Sequence, residues 1–281
     1  MTESLLITSL QNPRVKHVVK LRDRRPREQA GQFIIEGYRG ILRACQQGCP
    51  VLELYICPEL FKGDNEDALI ARCVAAGARL IHVPPHVFGK MAYRDKPEGL
   101  LAVAPQKRLA VADLPVPGKA GLFIIAEGIE KPGNLGTMLR SADATGVDAI
   151  LLCDKRTDLF NPNVVRASTG ALFSVPVAED EPAVIADWLE AAGCAILAAT
   201  PHAEKRYDQI DLTGPVALAM GAEQYGLTDF WLERATVRAR IPMLGMADSL
   251  NVATATTILL YETLRQRLAA GMCVDPGRVD H

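Results

Sequence analysis

The sequence lacks a strong charge of either sign. Its 31 lysines and arginines are nearly balanced by 33 aspartates and glutamates, which gives a net charge of -2. This balance excludes a histone-like protein coated with positive charge. Hydrophobic residues make up 49% and charged residues 23% of the 281 residues, as in an ordinary globular protein. The composition excludes a disordered, collagen-like or disulfide-scaffold chain, and at roughly 100–200 residues per domain the length predicts two domains.

The sequence also lacks a cysteine motif for metal binding or redox chemistry. None of its seven cysteines belongs to a CxxC pair, so neither a redox motif nor a zinc ribbon is predicted. Cys45 and Cys49 are four residues apart, as are His82 and His86, but we expect no metal site from this spacing. We interpret the cysteines as small side chains in a reducing cytosol. The remaining five are Cys57, Cys73, Cys153, Cys194 and Cys273.

No segment typical of export or membrane insertion is present. The first residues do not combine a basic stretch with a long apolar one, so no signal peptide is predicted. No uninterrupted apolar run approaches the length of about 18 residues that spans a bilayer. We therefore expect a cytoplasmic protein that does not bind membranes.

Proline divides the chain into two parts. Three of the 18 prolines lie within residues 105–120. Because proline removes a backbone donor and interrupts helices and sheets, this segment is predicted to be a linker. It separates residues 1–104 from residues 121–281.

The first part has the pattern of a small α/β domain. Short apolar runs at 51–57, 79–83 and 99–104 have the length of strands. Residues 64–77 begin with an acidic turn and end at Gly77, which is typical of a helix.

The second part alternates regularly between strands and helices. Near-continuous apolar runs occur at 121–126, 148–153, 194–200 and 216–221. Such runs are typical of parallel strands that are buried on both faces, so a doubly wound α/β domain is predicted. The helix candidates between and after these strands are 134–145, 162–170, 183–192 and a long helix from Ser249 to about Leu268. Ligands of such domains bind beyond the carboxyl ends of the strands, which directs attention to the loops there.

The first notable loop leads into a helix at 127–146. Gly133 and Gly136 bracket Asn134, which is a residue type that can cap a helix, and Arg140 lies off the apolar face. The glycine spacing does not complete the GxGxxG dinucleotide motif. On these residues alone, a strand–turn–helix unit with a solvated arginine remains an alternative.

Two further segments have unusual composition. In 221–227, Glu223 lies between two glycines directly after a predicted strand. At this position its carboxylate could bind a cation or a hydroxyl. The alternative is a tight turn with a solvated glutamate. In 241–262, Ser249 could cap the long helix, and a capped amphipathic helix packed on the sheet would explain most of the pattern.

Together, at this order and spacing, the three segments resemble the SpoU (TrmH) family of RNA ribose 2′-O-methyltransferases in the SPOUT superfamily. The resemblance covers residues 121 to about 265 and rests on NLGTMLRSADATG (134–146), ALAMGAEQYGL (217–227) and IPMLGMADSLNVATATTILLYE (241–262). Residues 7–37 are similar to the first helix and strand of the L30e-like substrate-binding domain found in this family.

The resemblance implies an α/β architecture with two domains. The C-terminal SPOUT domain would have a mostly parallel sheet and a C-terminal trefoil knot, and residues 1–104 would form the smaller L30e-like α/β domain. It also implies a homodimer that binds S-adenosyl-L-methionine and needs no metal.

The resemblance further assigns candidate site residues. The family's signature polar positions, taken as the catalytic set, are matched by Asn134, Arg140, Glu223, Ser249 and Asn251. The expected cofactor-binding residues are Thr200, Pro201, Gly221, Ile241, Met243, Leu250 and Ala253.

The implied reaction transfers a methyl group from a sulfonium to a ribose 2′-hydroxyl. In proposals for this family, the arginine matching Arg140 helps to deprotonate the hydroxyl. Arginine stays protonated at neutral pH and then has no free lone pair, so we expect Arg140 to bind the adjacent phosphate and stabilise the developing alkoxide. Asn134 lies six residues earlier, about 9 Å along a helix, and is expected to orient another group.

A local charge asymmetry supports an RNA partner. Residues 11–43 contain nine lysines and arginines against three acidic residues, a net charge of about +6, so the remainder carries about -8. Such a basic segment is either a solvated face or a nucleic-acid contact. We expect Arg24, Arg25 and Arg27 to contact RNA, together with Arg166, for which a simple surface role is the alternative.

The likeness to an L30e-like domain indicates ribosomal RNA, most simply that of the large subunit. Three other functions remain open at this point. They are a transfer-RNA 2′-O-methyltransferase, a non-catalytic RNA-binding protein of the same fold, and a nucleotide-dependent oxidoreductase, against which the missing GxGxxG motif argues.

Overall fold

The computed structural model describes residues 5–272 and divides the chain into two compact units. The first unit consists of residues 1–107 together with 158–174, and the second of residues 108–157 together with 175–281. The chain therefore passes between the two units three times.

The described residues contain eleven strands and eleven α-helices, numbered in chain order. The strands are β1 (Leu5–Leu6), β2 (Gln32–Glu36), β3 (Glu53–Ile56), β4 (Arg79–His82), β5 (Leu100–Pro105), β6 (Leu122–Glu127), β7 (Ala149–Cys153), β8 (Val177–Glu179), β9 (Ala195–Ala199), β10 (Val216–Met220) and β11 (Val237–Ala239). The helices are α1 (Pro13–Lys20), α2 (Arg24–Ala30), α3 (Tyr38–Gln46), α4 (Glu66–Ala75), α5 (Pro85–Met91), α6 (Pro132–Thr145), α7 (Pro162–Ser168), α8 (Ala171–Ser174), α9 (Pro182–Ala191), α10 (Asp229–Arg234) and α11 (Val252–Ala269).

The first unit is built on a mixed five-stranded sheet in the order β1-β4-β3-β5-β2. Strands β1, β4 and β3 are parallel, whereas β5 runs antiparallel to both β3 and β2. Strands β3, β4 and β5 occupy the three apolar runs predicted from the sequence, and α4 occupies the predicted helix. The small α/β unit is confirmed.

Residues 158–174 complete the first unit, although they lie far along the chain from its other residues. The ring of Phe33 on β2 contacts Phe160 and Phe173 from this segment, with ring centroids 4.8 and 6.4 Å apart. Arg27 forms a buried salt bridge with Asp158, with 2.6 Å between guanidinium nitrogen and carboxylate oxygen. An apolar contact and an ion pair therefore both hold the segment in place.

The surroundings of Arg27 correct its predicted role. Its side chain is only 1% exposed, and besides bonding Asp158 it donates to the carbonyl oxygens of Leu21 and Arg22. A guanidinium that is buried and saturated with acceptors cannot also bind a phosphate. Arg27 is thus a structural residue, whereas Arg24 and Arg25 are exposed on the same helix.

The second unit is built on a six-stranded sheet in the order β11-β9-β10-β6-β7-β8. Every pairing in this sheet is parallel. The side chains of β6, β7 and β10 are all buried, which explains their near-continuous apolar sequences. The predicted α/β fold with a mostly parallel sheet is confirmed. The short strands β8 and β11 and helix α10 were not predicted, because three to six residues carry too little periodicity.

The segment 105–120 contains the first passage between the units, but much of it is packed. Leu109 forms a β-bridge with Ala178, and Val111 and Leu114 are buried in the hydrophobic core of the second unit. The prolines therefore mark the change of unit, and the residues between them contribute to the core.

Two more features concern the chain as a whole. Within residues 5–272 no helix has both the length and the apolar character needed to cross a membrane. The six cysteines of the described residues are free, and Cys273 lies outside those residues.

Candidate functional site

The three sequence segments that suggested a function meet at one edge of the second sheet. Strands β6 and β10 are parallel neighbours, with Ala219 opposite Ile125, so the loops that follow them leave from the same edge. The loop after β6 leads into α6, and the loop after β10 is residues 221–227. The third segment continues into helix α11. This helix lies against α6, and the hydroxyls of Ser141 on α6 and Thr257 on α11 form a 2.7 Å hydrogen bond.

A chain of side-chain hydrogen bonds joins the three segments. The amide nitrogen of Asn134 donates to Oε1 of Glu223 at 2.5 Å, and the amide nitrogen of Asn251 donates to Oδ1 of Asn134 at 3.0 Å. Glu223 also accepts bonds from the backbone N–H groups of Glu130 and Lys131, at 3.1 and 3.3 Å. One asparagine thereby links a loop after β10 to the start of α11.

Asn134 does not cap its helix, in contrast to the sequence expectation. Helix α6 begins at Pro132, so Asn134 is its third residue and its side chain is free to bond outside the helix. Proline suits this first position because its ring fixes a helical φ and no N–H is needed there. Asn134 is 9% exposed, so its two bonds to other segments are made in a largely buried setting.

The hydrogen bonds to Glu223 change its acidity. Burial alone would raise its pKa, but the bonds from the Glu130 N–H, the Asn134 amide and neighbouring backbone N–H groups outweigh burial and lower the pKa below its ordinary value. Glu223 is therefore an ionised acceptor that holds the ends of the loops, and the alternative of a solvated glutamate is excluded by its partners.

The loop that carries Glu223 is a tight turn packed on its own backbone. A Cβ added to Gly221 would lie 2.1 to 2.3 Å from backbone atoms of Gly226 and Leu227, so only glycine fits. Gly226 has φ +71°, in the left-handed region that favours glycine, and it forms a β-bridge with Ala222. Both glycines of the motif are thus required by the turn itself.

A buried carboxylate that the sequence reading missed holds the far end of this loop. Glu127, the last residue of β6, is 3% exposed and accepts bonds from the N–H and the hydroxyl of Thr228, at 2.8 and 2.7 Å. The sequence does contain a signal for this residue, because Glu127 is an acidic residue at the end of an otherwise apolar strand.

The cap of α11 is Asn251, which corrects the expectation for Ser249. Oδ1 of Asn251 accepts the N–H groups of Ala253 and Thr254, at 3.0 and 3.4 Å. Ser249 lies two residues before the cap and is exposed. Asn251 therefore caps the helix with its side-chain oxygen and donates a hydrogen bond to Asn134 with its amide nitrogen.

Arg140 lies in the second half of α6 and is exposed to solvent. Among the hydrogen bonds of the described residues, neither Arg140 nor Ser249 joins the Glu223–Asn134–Asn251 chain. The structure thus brings together three of the five predicted polar residues and presents the other two at the surface.

The predicted cofactor residues lie in loops that follow three adjacent strands, except Ala253, which lies in the first turn of α11. Thr200 and Pro201 follow β9, Gly221 follows β10, and Ile241 and Met243 follow β11. The N–H of Thr200 bonds the carbonyl of Ala239 at 3.0 Å, which keeps the loops after β9 and β11 together. The half-buried members are Thr200, Gly221, Ile241, Met243 and Leu250; Pro201 is exposed and Ala253 is buried.

The electrostatic character of the site comes from hydrogen-bonded side chains and backbone. In the part of the chain that the structure describes, no group of three or more histidine, cysteine, aspartate or glutamate side chains is arranged to hold a metal ion. The groups available at the loop edge are amides, backbone N–H and C=O groups, the carboxylates of Glu223 and Glu127, and half-buried apolar side chains.

Comparisons with known proteins agree with this geometry. Residues 121–261 match the model of the SpoU rRNA Methylase family, and residues 12–102 match that of an MRM3-like substrate binding domain. The first match contains all the site residues above that belong to the second unit.

Similar proteins align over nearly the whole chain. A 23S rRNA uridine 2′-O-methyltransferase of Streptomyces viridochromogenes is 31% identical over 91% of this chain and 90% of its own length. The 23S rRNA guanosine 2′-O-methyltransferase RlmP of Bacillus subtilis is 29% identical, over 91% and 97%. The AdoMet-bound rRNA methyltransferase of Sinorhizobium meliloti superposes with a TM-score of 0.86 at 33% identity, covering 93% of this chain and 98% of that one. The family matches and these full-length similarities confirm the resemblance found in the motifs: this chain belongs to the SpoU rRNA methylase family.

Proposed function

We propose that the protein transfers a methyl group from S-adenosyl-L-methionine to a ribose 2′-hydroxyl of ribosomal RNA. The observation that carries this proposal is the hydrogen-bonded chain of Glu223, Asn134 and Asn251, which joins the family's three motif segments at the carboxyl edge of the sheet. The full-length relatives named as 23S rRNA 2′-O-methyltransferases support ribosomal RNA of the large subunit as the substrate.

The loops after β9, β10 and β11 fit the cofactor by their chemistry. Ile241, Met243 and Leu250 expose part of their apolar side chains, which suits an adenine ring and a methionine chain. Loop backbone beside them, at Thr200 and Gly221, offers polar groups for the ring edges and the ribose. The bound cofactor would supply a sulfonium methyl group with a neutral thioether as its leaving group.

The chain's own residues would position and stabilise the reacting alcohol. Arg140, exposed and permanently charged, can bind the phosphate next to the ribose and stabilise the developing alkoxide. Glu223, Asn134 and Asn251 keep the three loops in register, so that the alcohol and the methyl donor can be aligned. Ser249, exposed beside the cap of α11, is available to bind ribose or cofactor.

The first unit would hold the RNA. Arg24 and Arg25 on α2 and Arg166 on α7 are exposed and can contact phosphates. Residues 1–104 would supply most of this RNA-binding domain, and residues 121–281 the methyl-transferring one.

A homodimer and a C-terminal trefoil knot complete the proposal, on the basis of family resemblance. Consistent with a second copy, the second unit exposes large apolar side chains: Tyr225 is 77% exposed, and Leu244 and Met246 are fully exposed. Exposed apolar groups of this size are typical of protein interfaces. Sedimentation of the purified protein measures the dimer directly.

Two measurements test the proposed function. Calorimetry should show binding of S-adenosyl-L-methionine, whereas NAD binding in its place would indicate an oxidoreductase and no binding would indicate a non-catalytic RNA-binding protein. Mapping of 2′-O-methyl groups in a strain that lacks the gene should show one site lost from ribosomal RNA and restored by the wild-type gene. Loss from transfer RNA would instead support the alternative substrate.

A further inference from the structure

The first unit contains a cavity of about 430 Å³ that the proposed chemistry does not use. It lies between the end of β2, the start of α3, the residues after α5, and α7. Its volume falls in the range of about 300–1,000 Å³ that is typical of small-molecule sites. The polar and aromatic residues that line it include Glu36, Tyr38, Arg39, Tyr93, Arg94 and Arg166, together with Glu98 and Thr169.

Glu36, one of the lining residues, has a carboxylate oxygen without a hydrogen-bond partner in the described part of the chain. Its Oε2 accepts the backbone N–H groups of Tyr93 and Arg94, at 2.8 and 3.2 Å. Its Oε1 is buried and has no hydrogen-bond partner within the described residues. Burial raises the pKa of Glu36, and the two backbone bonds and the nearby arginines offset only part of that increase. A buried acceptor without a donor is destabilising, so a ligand N–H placed there would be stabilising.

Aromatic rings and positive charges line the same cavity as Glu36. The hydroxyl of Tyr93 accepts a 2.8 Å bond from the amide of Asn163, which restrains its ring, and Tyr38 supplies a second ring to the lining. The guanidinium of Arg94 donates hydrogen bonds to the carboxylate of Glu98 at 2.8 Å and to the backbone carbonyl of Glu36 at 3.3 Å. The guanidinium groups of Arg39 and Arg166 are both exposed and come from different helices.

These groups match the parts of a nucleotide. An aromatic ring can stack on a base, an acceptor can take an amino or ring N–H from the base edge, and two arginines can bind a phosphate. We propose that this cavity binds one unpaired nucleotide of the RNA substrate, with its base against Tyr38 or Tyr93, its edge on Glu36 and its phosphate on Arg39 and Arg166. The proposal rests on the proposed function in taking RNA as the substrate.

The surroundings favour a nucleotide within an RNA over a free one. Arg39 belongs to the basic segment 11–43, whose net charge of about +6 extends well beyond the cavity. Because Arg39 and Arg166 are exposed, a phosphodiester backbone can continue past them in both directions.

The test uses the full-length protein and transcribed large-subunit ribosomal RNA. Tyr38→Ala should weaken RNA binding about tenfold, the scale of one lost base stack, whereas Tyr38→Phe keeps the ring and should bind nearly as the wild type does. Glu36→Gln places an amide N–H₂ where Oε1 lies, because the backbone N–H groups retain the amide oxygen, and should also weaken binding about tenfold. Arg39→Ala should reduce both affinity and the salt dependence of binding, and Arg72→Ala, which removes an exposed arginine outside the cavity, should change neither.

Three further readouts separate this inference from the proposed function. Ultraviolet crosslinking should attach RNA at Tyr38 or Tyr93, and binding of S-adenosyl-L-methionine and the melting temperature should be the same in all variants. If the wild type binds ribosomal RNA without methylating it and Tyr38→Ala loses that binding, the cavity stands and the proposed function falls.

Two outcomes overturn the cavity assignment while methylation stands. One is RNA binding by Tyr38→Ala and Glu36→Gln that equals that of the wild type. The other is tight binding of a free nucleoside monophosphate that Tyr38→Ala abolishes while RNA affinity stays unchanged, which would assign the cavity to a free nucleotide.

Discussion

Asn134 shows how one side chain can connect separate parts of a site. It bonds Glu223 through its amide nitrogen and Asn251 through its oxygen, so three segments far apart in sequence depend on one amide. The motifs identified all three residues, but a sequence cannot show which of them bond each other. The expectation that Asn134 caps its helix was wrong because Pro132 starts the helix two residues earlier.

Removing the Asn134 amide should raise the pKa of Glu223. In the wild type that pKa is lowered, so the stability that Glu223 contributes is present above the ordinary glutamate pKa and is lost as pH falls through the lowered value. In Asn134→Ala this contribution should be smaller, and it should be fully lost at a higher pH, because the folded-state pKa lies closer to the ordinary value. Carbon-13 NMR titration of the glutamate carboxyls measures the shift, with Thr137→Ala in the same helix as control; an unchanged Glu223 titration would refute the linkage.

Arg140 should be required for turnover and dispensable for folding. Because its side chain is exposed on α6, Arg140→Ala should keep the melting temperature and the affinity for S-adenosyl-L-methionine. Loss of a charged group that stabilises a transition state typically lowers the rate about 100-fold or more. Single-turnover methylation of ribosomal RNA measures this effect.

Arg234→Ala is the matched control for Arg140, since its guanidinium bonds Asp187 and Glu190 on the surface of the same unit. It should methylate at the wild-type rate. A normal rate in Arg140→Ala as well would remove Arg140 from the site.

At the scale of elements, the loop 221–227 depends on a glycine that no other residue can replace. Gly221→Ala should destabilise the protein by about 3 kcal/mol, the cost of forcing extra atoms into a packed region, because the new Cβ would overlap backbone of Gly226 and Leu227. Gly133→Ala should stay within about 1 kcal/mol of the wild type, since space is open around that helical position. Urea unfolding compares the two, and equal stabilities would contradict the packing described.

Helix α2 should contribute to RNA binding through two of its three arginines. Arg24→Ala combined with Arg25→Ala should weaken RNA binding and reduce the slope of affinity against salt by about one to two, because up to two phosphate contacts are lost. Lys62→Ala with Arg72→Ala removes the same charge from exposed positions outside the basic segment and is the control. If both pairs have the same effect, only overall charge matters and α2 has no specific contact.

The regular elements could be predicted from the sequence, but their ends and short neighbours could not. Strands β6, β7, β9 and β10 follow from their buried apolar runs. The cap of α11 was placed two residues early because serine and asparagine are both good caps, and the choice depends on where the helix meets its neighbours. Strands β8 and β11 have three residues each and are defined by their partners in the sheet.

At the scale of the whole molecule, each of the two units is made of two separate segments of the chain. The match of family models to 12–102 and 121–261 follows the sequence order, whereas the contacts assign 158–174 to the first unit. The ion pair between Arg27 and Asp158 joins residues 131 positions apart, and no local pattern indicates such a pair. The basic segment 11–43 could be recognised from the sequence. The burial of Arg27 within it could not, because it depends on the distant Asp158.

Breaking this ion pair from one side should be costly. Asp158→Asn leaves the buried guanidinium of Arg27 without its countercharge, and loss of one partner of a buried pair typically costs about 3–5 kcal/mol. Arg27→Met combined with Asp158→Leu should cost less, because neither charge remains buried. Glu28→Gln, which alters the exposed pair with Arg24, should cost less than about 1 kcal/mol. Denaturant unfolding measures all three, and a negligible effect of Asp158→Asn would contradict the buried pair.

The three passages of the chain between units also set an order of events during synthesis. Residues 1–107 leave the ribosome first, but Asp158, Phe160 and Phe173 follow only as the chain extends to residue 174. At about 5–20 residues per second, the partners of Arg27 and Phe33 are synthesised roughly 6–28 seconds after them. A nascent first unit therefore remains incomplete until residue 174 has been made, which is after residues 108–157 of the second unit. A fragment ending at residue 107 would lack these partners permanently.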